Sequence, residues 1–178
     1  MVVSIGIYVG CATPDAALAS GGELSVMAAI AHGKDLRAIV DAATDRLGRP
    51  ADHLAISYPA WWDSLRVDRL LRDVRAAGVT VDRYLTSGEA AVRWWRHLHP
   101  VEAQRAGTFL VHEVGVVSGL TLVQTYGPTI ETVVAREAAA EAPPLTEVAD
   151  LIAALVVGRG GPDGEHAVVF GTALAATL

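Results

Sequence analysis

The chain has 178 residues, 52% of them hydrophobic and 19% charged, with a formal net charge of −6. That is enough apolar material for one compact domain or for two small lobes sharing a cleft, and a weakly acidic chain lacks the basic footprint of a non-specific nucleic-acid binder. The single Cys11 excludes an internal disulfide framework. No apolar run reaches the length of a membrane span, and the opening residues lack the basic start and cleavage site of a signal peptide, so a cytoplasmic location is expected.

The first run, VVSIGIYVG (2–10), is a buried-looking strand ending on a glycine. CATPDAALAS (11–20) and ELSVMAAIA (23–31) follow as strands, joined by the hairpin signal SGG at 20–22. KDLRAIVDAATDRLG then places Leu36, Ile39, Val40, Ala43 and Leu47 at helical spacing, with Gly48 closing the helix and Pro50 barring its continuation. HLAISYP (53–59) is a short apolar strand. DSLRVDRLLRDVRAAG sets Val67, Leu70, Leu71, Val74 and Ala77 on one stripe, with Asp63 as N-cap and Gly78 just past the end. VTVDRYL (79–85) is a strand, and SGEAAVRWWRHLH (87–99) is a helix stopped by Pro100.

The second half predicts the same order. GTFLVHEVG (107–115), VVSGLTLVQTYG (116–127) and PTIETVVARE (128–137) form a three-strand meander. EAAAEAPP is a linker, and LTEVADLIAALVVG (145–158) a helix with Val148, Leu151, Ile152 and Leu155 facing inward. GRGGPDGE is a loop, HAVVFG (166–171) a strand, and TALAATL the beginning of a helix, beyond which a longer protein is expected to continue. Each half then begins βββαβα. Residues 1–100 form a first lobe and 101–178 a second, truncated one. The expected fold class is α/β, with mixed sheets flanked by helices and ligands at the carboxyl ends of the strands.

A duplicated βββαβα unit with a glycine turn after each first strand resembles the actin-like ATPase superfamily, and the nucleotide-binding domain of Hsp70 above all. IGIYVGCAT (5–13) looks like the phosphate-1 signature of that family. ISYPAWWDSLRVDRLLRDVRAAGVTVDRYLTSGEAAV (56–92) is similar to its Val-Pro-Ala-Tyr-Phe, helix, strand and Glu-Pro-Thr-Ala-Ala-Ala stretch. FLVHEVGVVSGLTLVQ (109–124) resembles the phosphate-2 signature, and HAVVFGTALAATL looks like the adenosine-contacting strand and its glycine turn. The resemblance covers most of the chain as a skeleton. It implies a two-lobed actin/Hsp70-like, ribonuclease H-like fold without the large subdomains that cover the nucleotide. Eroded Hsp70-like domains occur in actinobacterial type VII secretion-associated proteins, and the YPAWW stretch before an arginine-rich helix is similar to those.

Phosphoryl transfer rests on positioning and charge neutralisation, and metal-bridged phosphates need carboxylates. Under the resemblance, Tyr8 falls where the family has its phosphate-1 aspartate, and a phenol stays protonated at neutral pH. Cys11 and Ala12 fall where two phosphate-holding threonines would stand, which leaves Gly10 and Thr13. At phosphate 2, Glu113 stands for an aspartate, Gly115 is kept, Val116 and Val117 replace two glycines, and Ser118 replaces a threonine. β-Branched residues resist the positive φ that glycine permits, so GVVSG is expected to continue as strand. The expectation is a chain that is not an enzyme, with no catalytic residues and no cofactor. The alternative is a weak ATP-binding switch or residual Mg-dependent ATPase using Gly10, Thr13, Glu113, Gly115, Ser118 and Gly171.

His97, His99 and the distant His112 read as a solvated helix end and a separate strand residue, not as a metal site. Ser57 and Ser87 lack a nucleophile-elbow pattern, and VVSIGIYVG carries no acid for ribonuclease H-type chemistry. The paired tryptophans are the remaining candidates. Adjacent residues on a helix point about 100° apart, so one of each pair is expected at a margin. Core packing is one reading. The other is a partner-binding surface of Trp61, Trp62, Arg93, Trp94 and Trp95, because Trp and Arg are favoured interface anchors. The function expected is a non-catalytic scaffold or protein-interaction module, with a protein partner and with no nucleic-acid or membrane contact by this segment.

Overall fold

The computed structural model describes residues 2–10, 14–27, 35–114, 117–138, 151–158 and 166–176. Five strands form the first sheet: β1 (Val3–Tyr8), β2 (Asp15–Ser20), β3 (Glu23–Met27), β4 (His53–Tyr58) and β5 (Arg83–Thr86). Their order is β3-β2-β1-β4-β5, with β1 antiparallel to β2 and parallel to β4. Helices α1 (Leu36–Leu47), α2 (Ser64–Ala76) and α3 (Ser87–Leu98) connect them or follow them.

The helix ends read in the sequence at Gly48 and Asp63 are present, and Asp35 and Thr86 add two further caps. The Asp35 carboxylate accepts the Arg37 and Ala38 N–H groups at the start of α1, and Gly48 ends that helix at φ 67°. Asp63 caps α2 through the Arg66 N–H. Leu36, Ile39, Ala43, Leu70 and Val74 bury these helices against Ile5, Ile7, Leu54 and Ile56 on one face of the sheet. Strand residues alternate between faces, so Ser4, Gly6 and Tyr8 lie on the other. α3 starts on Thr86, whose hydroxyl accepts the Glu89 N–H while the Glu89 carboxylate accepts the Thr86 N–H.

The second sheet is built from β6 (Gly107–Val114), β7 (Ser118–Tyr126), β8 (Thr129–Ala138) and β9 (Leu151–Gly158), after a single 3₁₀ turn at Glu102–Gln104. Its order is β8-β7-β6-β9, with β6 antiparallel to β7 and parallel to β9. Two predicted elements are corrected here. The helix expected over 145–158 is strand over 151–158, paired with β6 from Thr108 to Val114. Leu155 is buried, while Val148 lies outside the described residues. A short continuous apolar run carries no periodicity to separate strand from helix. The strand expected over 166–171 is instead part of helix α4 (Ala167–Ala176), buried on almost every side and so without an amphipathic stripe. Gly115 and Val116 of GVVSG lie outside the described residues; β6 ends at Val114, β7 begins at Ser118, and Glu113 pairs with Gly119, so the two strands run antiparallel.

Helices α3 and α4 lie between the two sheets in a reciprocal exchange. α3 follows the first sheet yet packs on the second, with Gly88 against Thr121 and Val123, and Trp95 edge-on to Phe109. α4 follows the second sheet yet packs on the first, with Val169 and Ala173 against Ala17 and Ala19. The buried hydroxyls of Ser57 and Thr172 hydrogen-bond at 2.6 Å across that contact. The helices cross at Gly171 and Ala90, where a Cβ on Gly171 would fall on the Ala90 carbonyl oxygen. The strand residues divide on either side of residue 100, while the helices interleave. Among the described residues, no helix is long and apolar enough to cross a membrane.

Candidate functional site

The space between the inner faces of the two sheets, at the carboxyl ends of β1, β4 and β6, is where an α/β protein of this kind would hold a ligand. Two rows of register partners border it. In the first sheet the row is Asp15–Tyr8–Ser57–Leu85. In the second it is Val157–Glu113–Gly119–Glu137. Directly paired residues share a face, so each row presents its side chains together.

Both rows are occupied by the protein itself. Tyr8 packs against the main core and also against the Ala17–Val169 cluster, each of which draws residues from both halves. That ring folds over buried Gly10, where a Cβ would lie 2.9 Å from the Tyr8 hydroxyl. Ser57 is engaged with Thr172. On the second row, the Trp61 indole sits on Gly119 so closely that a Cβ there would overlap its Nε1 and Cδ1. The Arg66 guanidinium lies 5.7 Å from the Trp61 ring centre and pairs with Glu137 at 3.0 Å. The loop after β4 and the start of α2 are thereby clamped onto the second sheet.

Glu113 lies beneath this clamp. It is 7% exposed, and its Oε2 has no hydrogen-bond partner. Burial alone pushes its carboxyl up to about 8, so it is neutral at pH 7. Trp61 Nε1, on the same face, is also buried and unpartnered. The N-terminus of α3 closes the adjoining side. Glu89 Oε1 accepts the Thr132 N–H of β8 at 3.3 Å, and the Thr86 and Thr132 hydroxyls bond at 2.7 Å. Val133 is the extra residue of a bulge there, since Leu122 pairs with Val134 and Val123 with Thr132.

The sequence-derived residues are therefore only partly brought together. Gly10 and Glu113 lie at carboxyl ends of central strands. Ser118 precedes Gly119, so its side chain is on the opposite face of the sheet from Glu113. Gly171 is inside α4, where it permits the helix crossing and not a loop beside a base. Thr13 and Gly115, with Cys11, Ala12 and Val116, lie outside the described residues.

The tryptophans are engaged internally. Trp62 stacks on Tyr58 at 6.3 Å and packs on the first core. Trp94 meets Phe170 of α4 at 5.0 Å, and Trp95 meets Phe109 of β6 at 5.0 Å. The 100° offset between helical neighbours here sends one ring to the other helix and one to the sheet, and both remain half-buried. Arg93 is half-buried beside Trp94, its Nε without a partner, and burial lowers its pKa, with Arg83 adding to the effect. His97 and His99 stack on Trp94 and Trp95, and His112 is buried on the outer face of the second sheet. Among the described residues, no group of three or more His, Cys, Asp or Glu could hold a metal.

A cavity of about 260 Å³ lies at the opposite, amino ends of β1 and β4, lined in part by Arg37, Thr44, Asp52, His53, Thr80 and Asp82. Its acids already serve the backbone. Asp52 accepts the Val3 N–H, Asp82 accepts the Leu54 N–H, and the Arg49 guanidinium beside Asp52 holds that carboxyl down to about 2. Sequence reasoning missed Glu89 and Gly119, although TSGE (86–89) is a capping-box pattern and a glycine inside a strand marks close approach. No protein-family model matches the chain, and no curated protein matches it at a significant level.

Proposed function

We propose that this chain is a non-catalytic actin/Hsp70-like module that works as a scaffold or protein-interaction domain. The observation that carries this reading is the occupancy of the inter-sheet space: Tyr8 folds over Gly10, and Trp61 is seated on Gly119. Two further observations support it. Both sheets share the order third-second-first-fourth strand, and each half lends its last helix to the other sheet. Glu113, at the phosphate-2 position under the resemblance, is buried on the row that the Trp61 indole occupies at Gly119.

A ligand of the native state raises the melting temperature by mass action. Thermal melts and titration calorimetry with Mg-ATP and Mg-ADP at millimolar concentration are expected to show neither a shift nor heat. Micromolar binding would overturn the scaffold reading in favour of the ATP switch. With the four tryptophans engaged internally, the exposed apolar side chains left to meet a protein partner include Leu65, Leu98, Val101 and Tyr126. The narrower proposal, a cytoplasmic role in type VII secretion, is tested by deletion in the native host; unchanged export through that system refutes it.

A further inference from the structure

Glu113 and Trp61 are two buried polar groups left unpaired on the same face of the second sheet, one from each half of the chain. An unpaired buried donor or acceptor is costly, and neither group is needed for packing in its polar form. Gly119, the register partner of Glu113, supplies the gap that seats the indole. We propose that Glu113 and the Trp61 loop form a proton-sensitive latch between the two sheets: neutral Glu113 lets Trp61 stay seated on Gly119, and an ionised Glu113 draws in water and lifts the loop away.

Among the described residues, the groups around the latch leave the ionised form without an internal counter-charge. From the second sheet, Glu137 shares the row and is paired with Arg66, and Val157 is apolar. From α2, Arg66 is held by that pair and by the Trp61 face. From α3, Glu89 is acidic and committed to Thr86 and Thr132. From the first sheet, Tyr58 is neutral, its phenol pushed further up by burial and then by Glu89, and Tyr8 and Asp15 share the facing row. Only desolvation acts on Glu113 itself. With no counter-charge among the described residues, an ionised carboxylate there is stabilised most by reaching water. Among the described residues, the Trp61 loop shields this row at Gly119, held by the Ala60 N–H to Ser87 hydroxyl bond of 3.2 Å and by the exposed Arg66–Glu137 pair; an exposed ion pair is weak.

The test is acrylamide quenching of tryptophan fluorescence from pH 6 to 9.5. The Trp61 contribution is obtained as the difference between the wild type and Trp61→Phe. Its quenching constant is expected to rise at least twofold with a midpoint near pH 8 while far-UV ellipticity stays constant, and Glu113→Gln is expected to abolish the rise. A flat wild-type profile, an equal rise in Glu113→Gln, or a rise that coincides with loss of ellipticity overturns the latch. Gly119→Ala provides a second arm, because its Cβ evicts the indole: Trp61 is then quenched at pH 6 as strongly as the wild type is at pH 9, with no further step. A protected indole in Gly119→Ala also overturns the proposal.

Discussion

Replacing Gly171 with alanine sets two effects of known size against each other. Position 171 is inside α4, where alanine is the better helix former by about 1 kcal/mol. Propensity alone predicts a more stable protein. The crossing predicts the reverse, because the new Cβ would fall on the Ala90 carbonyl oxygen of α3. The obstacle is helix backbone, which cannot rotate aside as a side chain would, so the helices must separate by on the order of 1 Å. Overpacking of this kind costs about 1–3 kcal/mol. The same displacement acts on the neighbouring Thr172, whose 2.6 Å bond to Ser57 would stretch past the hydrogen-bond limit, adding about 1 kcal/mol. With the propensity gain set against these costs, the expected net result is a loss of about 1–3 kcal/mol. Urea denaturation reads it as a lower midpoint at unchanged slope. A Gly171→Ala protein as stable as the wild type, or more so, would refute the close crossing.

Glu113 couples stability to pH. Its carboxyl is held at about 8 in the folded chain against an ordinary 4.5, so between those values the native state keeps a proton that the unfolded chain has lost. Stability therefore falls as pH rises from about 4.5 to about 8 and is flat above, by up to about 5 kcal/mol at 1.4 kcal/mol per pH unit. Glu113→Gln removes that fall; equal slopes of stability against pH in both proteins, measured by urea denaturation, would contradict the burial. Thr172→Val keeps the shape but leaves the Ser57 hydroxyl unpaired, and is expected to cost about 1–3 kcal/mol. Adding Ser57→Ala should recover part of that loss, and strict additivity in the double-mutant cycle would count against the bond. Trp95→Ala should lose about 2–3 kcal/mol through the gap left beside Phe109; an unchanged melting temperature would return Trp95 to the surface.

Where one side of an element is wet, the sequence shows its outline. α1 and α2 have polar outer faces, an aspartate cap and a terminal glycine, so their stripes and limits are visible before any coordinates. α4 has almost no wet side, and Leu155 and Val157 of β9 are buried. LIAALVVG and HAVVFGTALAA are apolar throughout, and the choice between strand and helix is made by what they pair with or cross. The candidate site divides in the same way. That the first strand ends on a tyrosine and not on a carboxylate can be read from one residue, Tyr8. That its ring folds over Gly10, and that Trp61 from the loop after β4 rests on Gly119, depends on how two sheets approach each other. No spacing along the chain encodes that approach.

The double duty of Glu89 bears on behaviour at high concentration. β8 is the outermost strand of its sheet and carries exposed Val133 and Val134. Such a border is a template for another chain's backbone. The carboxylate that closes the cap of α3 also occupies a β8 backbone donor at Thr132, next to the bulge that bends the strand. A helix cap thus serves as a guard against edge-to-edge aggregation, and its loss would lower solubility before it unfolded the chain.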